Sequence, residues 1–279
     1  MLLNNRYRIM RTLGKGGFGK TYVAEDTHMP SGRNCVIKQL QPARNNPRVE
    51  QLIKERFQRE AAVLEELGAN CDQIPTLYAY FAEKGHFFLV QEWVEGQTLT
   101  QWKQQQEKIS ESAVKEILIS LLRVLEYTHQ KGIIHRDIKP DNIIIRSSDN
   151  KPVLIDFGAV KETMGVEEGD RIHSIIVGSP GYMPPEQAAG KPVYASDLYA
   201  LGLVGIYLLT GKKYKELDID LQTGELILPQ ELDQVSPSLV GVLKKVVRVK
   251  PSDRFSTASE MLQAFNSETA NKTHNKKCC

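Results

Sequence analysis

Two short polar segments carry side chains suited to phosphoryl transfer. Residues 135–142 read HRDIKPDN, and residues 156–158 read DFG. Transfer of a phosphoryl group from ATP needs little covalent help, so a protein must align an acceptor hydroxyl and hold Mg²⁺ against the phosphate oxygens. The side chains of suitable type are Asp137, Lys139, Asn142 and Asp156. The two segments therefore predict a phosphoryl-transfer site, against the alternative of a solvated loop between two strands.

The residues between these segments indicate how both are held. Two apolar runs, residues 143–145 and 152–155, flank the polar residues 147–150. Short apolar runs on either side of a polar turn are typical of a β-hairpin. We therefore expect a hairpin that carries one polar segment at each of its outer ends.

A glycine-rich segment near the N-terminus matches two phosphate-binding patterns. Residues 14–21, GKGGFGKT, satisfy both G-x-G-x-x-G and the P-loop pattern G-x-x-x-x-G-K-[ST]. A P-loop enters a helix directly, whereas residues 21–24 are strand-like here and the Pro-Ser-Gly at 30–32 turns the chain back. The context favours a glycine-rich hairpin over a P-loop.

Lys38 and Glu60 are candidates for an ion pair that holds phosphates. Lys38 lies on the strand-like run that returns from the glycine-rich hairpin, and a helical apolar period over residues 50–67 predicts a helix that carries Glu60. Glu55 and Glu65 lie on the same helix and compete with Glu60 until the helix register is known. A lysine on a strand is more often solvent-exposed than functional. Lys38 is therefore a candidate only in combination with the other motifs.

Together these motifs resemble those of the eukaryotic-type, or Hanks-type, Ser/Thr protein kinases. The resemblance extends over residues 7–266 and includes two further features. Residues 183–186, MPPE, are similar to the family's Ala-Pro-Glu motif, whose glutamate, here Glu186, pairs with an arginine at the position of Arg254. Asp197 resembles the family aspartate that braces the backbone of the catalytic loop.

The resemblance implies a role for each site residue, with ATP and Mg²⁺ as cofactors. Asp137 is implied to orient the acceptor hydroxyl and accept its proton, and Lys139 to neutralise the transferred phosphoryl group. Lys38, with Glu60, is implied to anchor the ATP phosphates. The implied metal ligands are Asn142 and Asp156, and the implied nucleotide-binding residues are Leu13, Gly14, Gly16, Gly17, Phe18, Gly19, Thr21, Val36, Lys38, Gln91, Glu92 and Val94.

The resemblance also bears on the substrate. Ser/Thr kinases of this family carry a lysine two residues after the catalytic aspartate, as Lys139 stands here, so serine and threonine are expected as acceptors. Residues 178–182, GSPGY, resemble the peptide-docking loop, which implies a protein substrate, with Ser179 able to reach Asp137 and Lys139. Gln91 stands at the back of the nucleotide pocket, where apolar residues or threonine are commoner, and resembles bacterial, especially cyanobacterial, members.

A nucleotide-binding pseudokinase scaffold is the alternative function. It requires the loss of a catalytic group, and the sequence retains each of them. Regulation is implied by Arg136, which in this family pairs with an anion on the segment that follows residue 156. The candidate phosphorylation sites are Ser174 and Thr163, with Ser174 favoured, and the competing permanent anions are the acidic residues within 167–170.

Composition limits the remaining possibilities. The chain has 279 residues, 41% of them hydrophobic, and a net charge of +2, so its bulk charge favours neither a nucleic acid nor a membrane as partner. The N-terminus lacks the apolar core of a signal peptide, and the apolar stretch at 198–209 is too short to cross a bilayer. The four cysteines match neither a disulfide framework nor a zinc site. We expect a cytoplasmic protein, with lipidation of Cys278 and Cys279 less favoured than a free tail.

The expected fold class is α+β, with the two lobes of a protein kinase. Strand-like runs between turn signals predict a small antiparallel N-lobe over about residues 7–92, with one helix that Gly68 caps. A hinge over about 92–96 leads to a larger, mainly helical C-lobe over about 97–266. Its predicted helices are a long one capped by Ser110 and others at 195–209, 238–247 and 257–265, and residues 267–279 are predicted to be a disordered polar tail. No pattern indicates an oligomeric state.

Overall fold

A computed structural model describes residues 2–16, 19–40, 47–157, 161–162, 179 and 181–274. The chain divides into two compact units, Met1–Glu95 and Gly96–Cys279. The sequence predicts the boundary between the lobes near Val94. The first unit is an antiparallel sheet with one helix, and the second is mainly helical. The predicted two-lobed α+β architecture is confirmed.

The first unit is built on a six-stranded antiparallel sheet. Its strands are β1 (Leu2–Leu3), β2 (Tyr7–Gly16), β3 (Gly19–Asp26), β4 (Asn34–Leu40), β5 (Leu77–Glu83) and β6 (His86–Glu92). They lie in the order β1-β2-β3-β4-β6-β5, and α1 (Pro47–Gly68) packs against β5. No local pattern in the sequence predicts β1, which forms because Leu3 packs against the buried residues of the sheet.

Successive side chains along each strand point to opposite sides, so the sheet has two different faces. One face buries an apolar cluster of Tyr7, Ala24, Cys35, Ile37, Phe88 and Val90. The other face carries Lys38, which contacts α1. The β5–β6 hairpin turns at Lys84 and Gly85, whose φ values of 50° and 76° suit a two-residue turn with both central residues left-handed.

Gly68 stands at the end of α1, where the sequence predicts a C-terminal cap, but its backbone is not left-handed. It is the last residue of α1, and its φ is not among the positive values of the described chain. A Cβ atom at Gly68 would lie 2.5 Å from the carbonyl oxygen of Pro75. Glycine is needed here because the chain after α1 passes close to the end of the helix, so packing and not backbone handedness explains it.

The second unit holds the remaining elements. The strands are β7 (Gly96–Thr98), β8 (Ile133–Ile134), β9 (Ile143–Arg146), β10 (Pro152–Leu154) and β11 (Lys161–Glu162). The helices are α2 (Leu99–Gln104), α3 (Glu111–Gln130), α4 (Pro185–Ala188), α5 (Tyr194–Thr210), α6 (Pro237–Val246) and α7 (Ala258–His274). All residues of α5 from Ala195 to Leu208 are buried, because this helix is apolar on every side and the others pack around it.

The predicted helices of this unit are confirmed, with small shifts of their ends except at the C-terminal end of α7. Ser110 caps α3 as predicted, since its hydroxyl accepts a hydrogen bond from the backbone of Ala113 at 3.2 Å. Ser236 caps α6, and the Thr257 hydroxyl accepts from the backbone of Glu260 at 3.1 Å at the start of α7. Each hydroxyl satisfies one of the N–H groups that a helix start leaves without a partner.

The predicted disordered tail is wrong for residues 267–274, which continue α7 to His274. Once a helix has been nucleated, each further residue costs little, and neither glycine nor proline interrupts this stretch. Residues 275–279, with Cys278 and Cys279, lie outside the described residues. Among the helices of the described chain, none is long and apolar enough to span a bilayer.

Candidate functional site

The two polar segments lie at the outer ends of a β9–β10 hairpin, as predicted. β9 and β10 pair antiparallel, with Ile143 opposite Leu154. Beyond the last pair, the backbone N–H of Ile155 donates to the carbonyl oxygen of Asn142 at 2.9 Å, which ties the two segments together. Arg136 and Asp156 both have left-handed backbones, with φ of 69° and 67°. Such conformations are unfavourable for these residue types and persist where surrounding contacts enforce them.

Asp197, at the start of α5, braces the first segment as predicted. Its carboxylate accepts hydrogen bonds from the backbone N–H groups of His135 and Arg136, each at 2.9 Å, and from Nε2 of His129 at 2.9 Å. Burial alone raises the pKa of a carboxyl group, but the interaction with His129 and these donors outweigh it and hold the pKa of Asp197 below its ordinary value. A charged Asp197 therefore fixes the backbone from which Asp137 projects.

Asp137, Lys139, Asn142 and Ser179 come together as one cluster. Oδ2 of Asp137 accepts from Nζ of Lys139 at 2.8 Å and from Nδ2 of Asn142 at 2.9 Å. Nζ of Lys139 also donates to the Ser179 hydroxyl at 2.5 Å, which confirms that Ser179 reaches it. The second carboxylate oxygen of Asp137, Oδ1, is buried and has no hydrogen-bond partner. This leaves one strong acceptor with nothing of the described protein to bind.

His135 is held neutral beneath this cluster. Its Nδ1 accepts from the backbone N–H of Asp137, and its Nε2 donates to the carbonyl oxygen of Ile155, each at 3.3 Å. These partners select the neutral tautomer with its proton on Nε2. Complete burial lowers the pKa of His135 below its ordinary value, which the nearby carboxylates only partly offset. The ring also packs edge-on against Phe157, with the ring centroids 4.7 Å apart.

The predicted pair of Glu186 and Arg254 is confirmed. Two guanidinium nitrogens of Arg254 contact the two carboxylate oxygens of Glu186 at 2.7 and 3.0 Å. The same guanidinium donates to the carbonyl oxygens of Ala195, Arg248 and Val249, so its charge is fully hydrogen-bonded in a buried position. The pair fixes α4 to α5 and to the turn before α7.

Five of the nucleotide-binding candidates of the first unit share one face of its sheet: Gly14, Thr21, Val36, Lys38 and Gln91. Gly14 pairs with Thr21, Thr21 with Lys38, and Val36 with Gln91, and paired residues of an antiparallel sheet point to the same side. Gly16 and Gly19 close the β2–β3 hairpin, and Glu92 and Val94 lie at and after the end of β6. A Cβ atom at Gly19 would lie 2.1 Å from the carbonyl oxygen of Gln39, so the approach of β3 to β4 requires this glycine.

Glu60 is the helix residue that pairs with Lys38. Nζ of Lys38 contacts Oε1 of Glu60, and both side chains are largely buried, at 18% and 6% exposed. Glu55 and Glu65 are exposed, and Glu55 instead accepts from Gln51. The register of α1 therefore decides among the three predicted alternatives.

The predicted metal ligands suit Mg²⁺. The amide nitrogen of Asn142 donates hydrogen bonds to Asp137, so the amide oxygen of Asn142 is the atom that can bind a cation. One amide oxygen and the carboxylate of Asp156 match the preference of Mg²⁺ for a few protein oxygens completed by water and phosphate oxygens.

Some of the predicted residues lie outside the described part of the chain: Gly17, Phe18, Gly158, Thr163, Ser174 and the acidic residues of 167–170.

Two supporting residues were missed by the sequence analysis. His129 bonds Asp197 and stacks on Tyr194, with ring centroids 4.6 Å apart, and Gln187 donates to the carbonyl oxygen of Arg136 at 2.6 Å. His129 follows Leu125 by one turn on the buried face of α3, so its position among apolar residues was a signal for a structural role. No comparable pattern marks Gln187, because its partner is a backbone atom 51 positions away.

Comparison with known proteins gives consistent results. The protein kinase domain model matches residues 7–265. A serine/threonine-protein kinase, PknA, of Nostoc sp. (strain PCC 7120) is 59% identical over 267 residues, which cover 95% of this chain and 47% of that protein. Serine/threonine-protein kinase C of Synechocystis sp. (strain PCC 6803) is 55% identical over 97% of this chain and 51% of its own length. Serine/threonine-protein kinase PknD of Chlamydia pneumoniae is 31% identical over 94% of this chain. The chain spans about half the length of the two cyanobacterial relatives.

Proposed function

Because the chain belongs to the protein kinase family, in its Hanks-type bacterial Ser/Thr form, we propose that it transfers the γ-phosphoryl group of Mg-ATP to serine and threonine hydroxyls of proteins. The observation that carries the proposal is the state of Asp137. One of its carboxylate oxygens is held by Lys139 and Asn142, and the other is buried without a partner. A preoriented acceptor of this kind suits a hydroxyl that must be aligned and deprotonated.

The acceptor chemistry would rest on three side chains. Asp137 would accept the hydrogen bond of the substrate hydroxyl through Oδ1. It would take the hydroxyl proton as the new P–O bond forms and the bond from the γ-phosphorus to the bridging oxygen breaks, with ADP as the leaving group. Lys139, 2.8 Å from Oδ2 of Asp137, would neutralise charge on the transferred group. Ser179 would keep the lysine in place, since its hydroxyl accepts one of the three N–H bonds of the ammonium group.

Separate residues would bind the phosphates of the nucleotide and the metal ion. Lys38, kept in position by Glu60, would bind phosphate oxygens. The implied nucleotide-binding residues of the sheet would contact the remainder of ATP. Asn142 and Asp156 would bind Mg²⁺, which when bound neutralises phosphate charge during transfer.

We also propose an acceptor class, a kind of substrate and a cellular location. Lys139 and Ser179 support serine and threonine as acceptors, and the names of the relatives cited above agree with this class. We propose a protein substrate without a nucleic-acid partner, because a net charge of +2 offers little attraction for a polyanion.

A cytoplasmic location is proposed because ATP is the phosphoryl donor and because Cys35 is a free thiol. Lipidation at Cys278 and Cys279 is not needed by the proposal.

The proposal is tested with Asp137→Asn and the matched control Asp141→Asn. Asp141 is an exposed carboxylate on the same loop. We expect Asp137→Asn to lower phosphate incorporation from labelled Mg-ATP into a generic basic protein by about 10²- to 10⁴-fold, the usual contribution of a general base, with an unchanged circular dichroism spectrum. Asp141→Asn should stay within about twofold of the parent. Phosphoamino-acid analysis should return phosphoserine and phosphothreonine.

Two results would count against the proposal. If the parent incorporates no phosphate but binds Mg-ATP, the pseudokinase scaffold replaces it. If Asp137→Asn retains the parent's activity, the assignment of Asp137 is wrong.

A further inference from the structure

The first unit has a pocket on the face of its sheet opposite to Lys38. The apolar walls of this sheet pocket are Leu2, Leu3, Ile9 and Phe88, and its volume is about 530 Å³. Phe88 pairs with Gln39, the neighbour of Lys38 in β4, so the side chains of Phe88 and Lys38 point to opposite sides. Pockets of about 300–1,000 Å³ are typical small-molecule sites. The sheet pocket has this size and is separate from the residues proposed to bind ATP.

The sheet curls around this pocket. β1 and β5 are its two edge strands. The backbone N–H of Asn4, directly after β1, nevertheless donates to Oε2 of Glu83, at the end of β5, at 2.7 Å. Leu3 packs against the apolar cluster on the same face. The two edges therefore meet above this face and enclose the pocket as at the mouth of a small β-barrel, a preferred place for ligand sites.

The formal charges at the pocket compensate each other. Among its lining residues, Glu83 and Lys84 are the charged ones, and Nζ of Lys84 lies 3.9 Å from Oε1 of Glu83. The other carboxylate oxygen of Glu83 already accepts from the backbone of Asn4. A charged ligand would lose its hydration in an apolar pocket without gaining an unpaired opposite charge. The pocket is therefore suited to an uncharged molecule.

His86 supplies a polar group for such a molecule. Its ring lies beside Phe88, with ring centroids 6.4 Å apart. Nδ1 of His86 contacts the carbonyl oxygen of Lys84 at 3.1 Å. Because a carbonyl oxygen only accepts, Nδ1 carries the proton, and Nε2 of the neutral ring is an acceptor. A ligand hydroxyl can donate to this nitrogen.

We propose that the sheet pocket binds a small uncharged apolar molecule with one hydroxyl group, which donates to Nε2 of His86. The apolar part of the ligand packs between Ile9 and Phe88 and the leucines of β1. The inference goes beyond the proposed function, because the pocket lies on the other face of the sheet and binding there needs no phosphoryl transfer.

Equilibrium dialysis of the full chain at neutral pH tests the inference with three probes. The probes are 2-naphthol, naphthalene, which lacks the hydroxyl, and naphthalene-2-carboxylate, which carries a charge. We expect saturable binding of 2-naphthol about fivefold tighter than binding of naphthalene, the usual effect of one hydrogen bond, and weaker binding of the carboxylate. Saturating Mg-ATP should leave the Kd for 2-naphthol within about twofold.

Two variants locate the site. Ile9→Trp fills the pocket and should weaken binding of 2-naphthol tenfold or more. Its matched control is Met10→Trp, at the next residue, which is 59% exposed and does not line the pocket. This control should bind like the parent. His86→Phe keeps a ring beside Phe88 without the acceptor, so it should bind 2-naphthol and naphthalene equally.

Several results would overturn the inference. They are absence of saturable 2-naphthol binding by the parent, equal binding of the carboxylate, displacement by Mg-ATP, and unchanged binding by Ile9→Trp. Sedimentation that shows a dimer of the parent but not of Ile9→Trp would assign the pocket to a contact between two copies instead. The first three results use the parent alone, so they remain decisive if a variant does not fold. None of them depends on phosphate transfer, whose absence would count only against the proposed function.

Discussion

The carboxylate of Glu60 fixes the position of the Lys38 ammonium group. A cation that must bind phosphates needs a fixed position, and the largely buried Glu60 supplies it. Glu60→Gln removes the charge that holds Lys38 and leaves its ammonium group without its anion. We expect kcat/KM for ATP to fall tenfold or more, equivalent to about 1.4 kcal/mol in barrier.

The matched control for this variant is Glu65→Gln, on the exposed side of the same helix. It should stay within about twofold of the parent. Equal losses in the two variants would show that activity depends on the overall charge of α1 and not on the pair. Steady-state kinetics with varied ATP provide the measurement.

His135 predicts how stability depends on pH. Its pKa in the folded chain is lowered by burial, whereas an unfolded histidine titrates near 6.5. As the pH falls below about 6.5, the unfolded chain binds a proton that the folded chain does not. The stability present above this pH is therefore lost on acidification, by at most about 1.4 kcal/mol per pH unit for one group.

Urea unfolding of the parent and of His135→Asn between pH 7.5 and 5.5 measures this effect. The asparagine oxygen can still accept from the backbone of Asp137 but does not titrate, so the variant should show a flatter dependence on pH. His28→Asn, at an exposed histidine, serves as the control. Parallel curves for the parent and His135→Asn would remove His135 as the cause.

At the scale of the elements, the packing of α5 against α6 depends on a glycine. A Cβ atom at Gly202 would lie 2.3 Å from Cγ1 of Val246 and 3.0 Å from Cγ1 of Val247. Gly202→Ala must push the helices apart, and we expect it to lower the free energy of unfolding by about 1–3 kcal/mol despite the better helix propensity of alanine.

Gly241→Ala is the matched control for this packing argument. Gly241 lies inside α6, and a Cβ atom there would contact nothing within 4 Å. The substitution should raise the free energy of unfolding by about 0.5–1 kcal/mol. The prediction fails if both alanines change stability in the same direction in chemical denaturation.

For the whole molecule, ligand binding and stability are coupled. A ligand that binds only the folded chain stabilises it by mass action, about 2.7 kcal/mol at one hundred times its Kd. Mg-ATP should therefore raise the unfolding temperature of the parent. The rise should be smaller for Lys38→Met at the same ATP concentration, whereas Lys84→Met, at a lysine that is 70% exposed, should match the parent. An equal rise in all three proteins would contradict the role of Lys38.

Local sequence determined the kinds of groups in the site and the order in which they occur. Asp137, Lys139 and Asn142 lie within one turn-rich loop, so their types and spacing could be interpreted without any long-range contact. The hairpin that follows them was also predictable, because alternation and turn residues act over a few positions. The same holds for the caps of α3 and α7, which involve residues three positions apart.

Tertiary structure alone decided which distant partners meet. The glutamate that pairs with Lys38 depends on the rotation of α1 against the sheet, and a helical period indicates a buried face without fixing that angle. The role of Gly68 likewise followed from the path of the chain after α1. Whether a buried oxygen has a donor, at Asp137 or at Gln91, depends on every element packed around it. Those contacts come from distant parts of the chain, so no local pattern in the sequence records them.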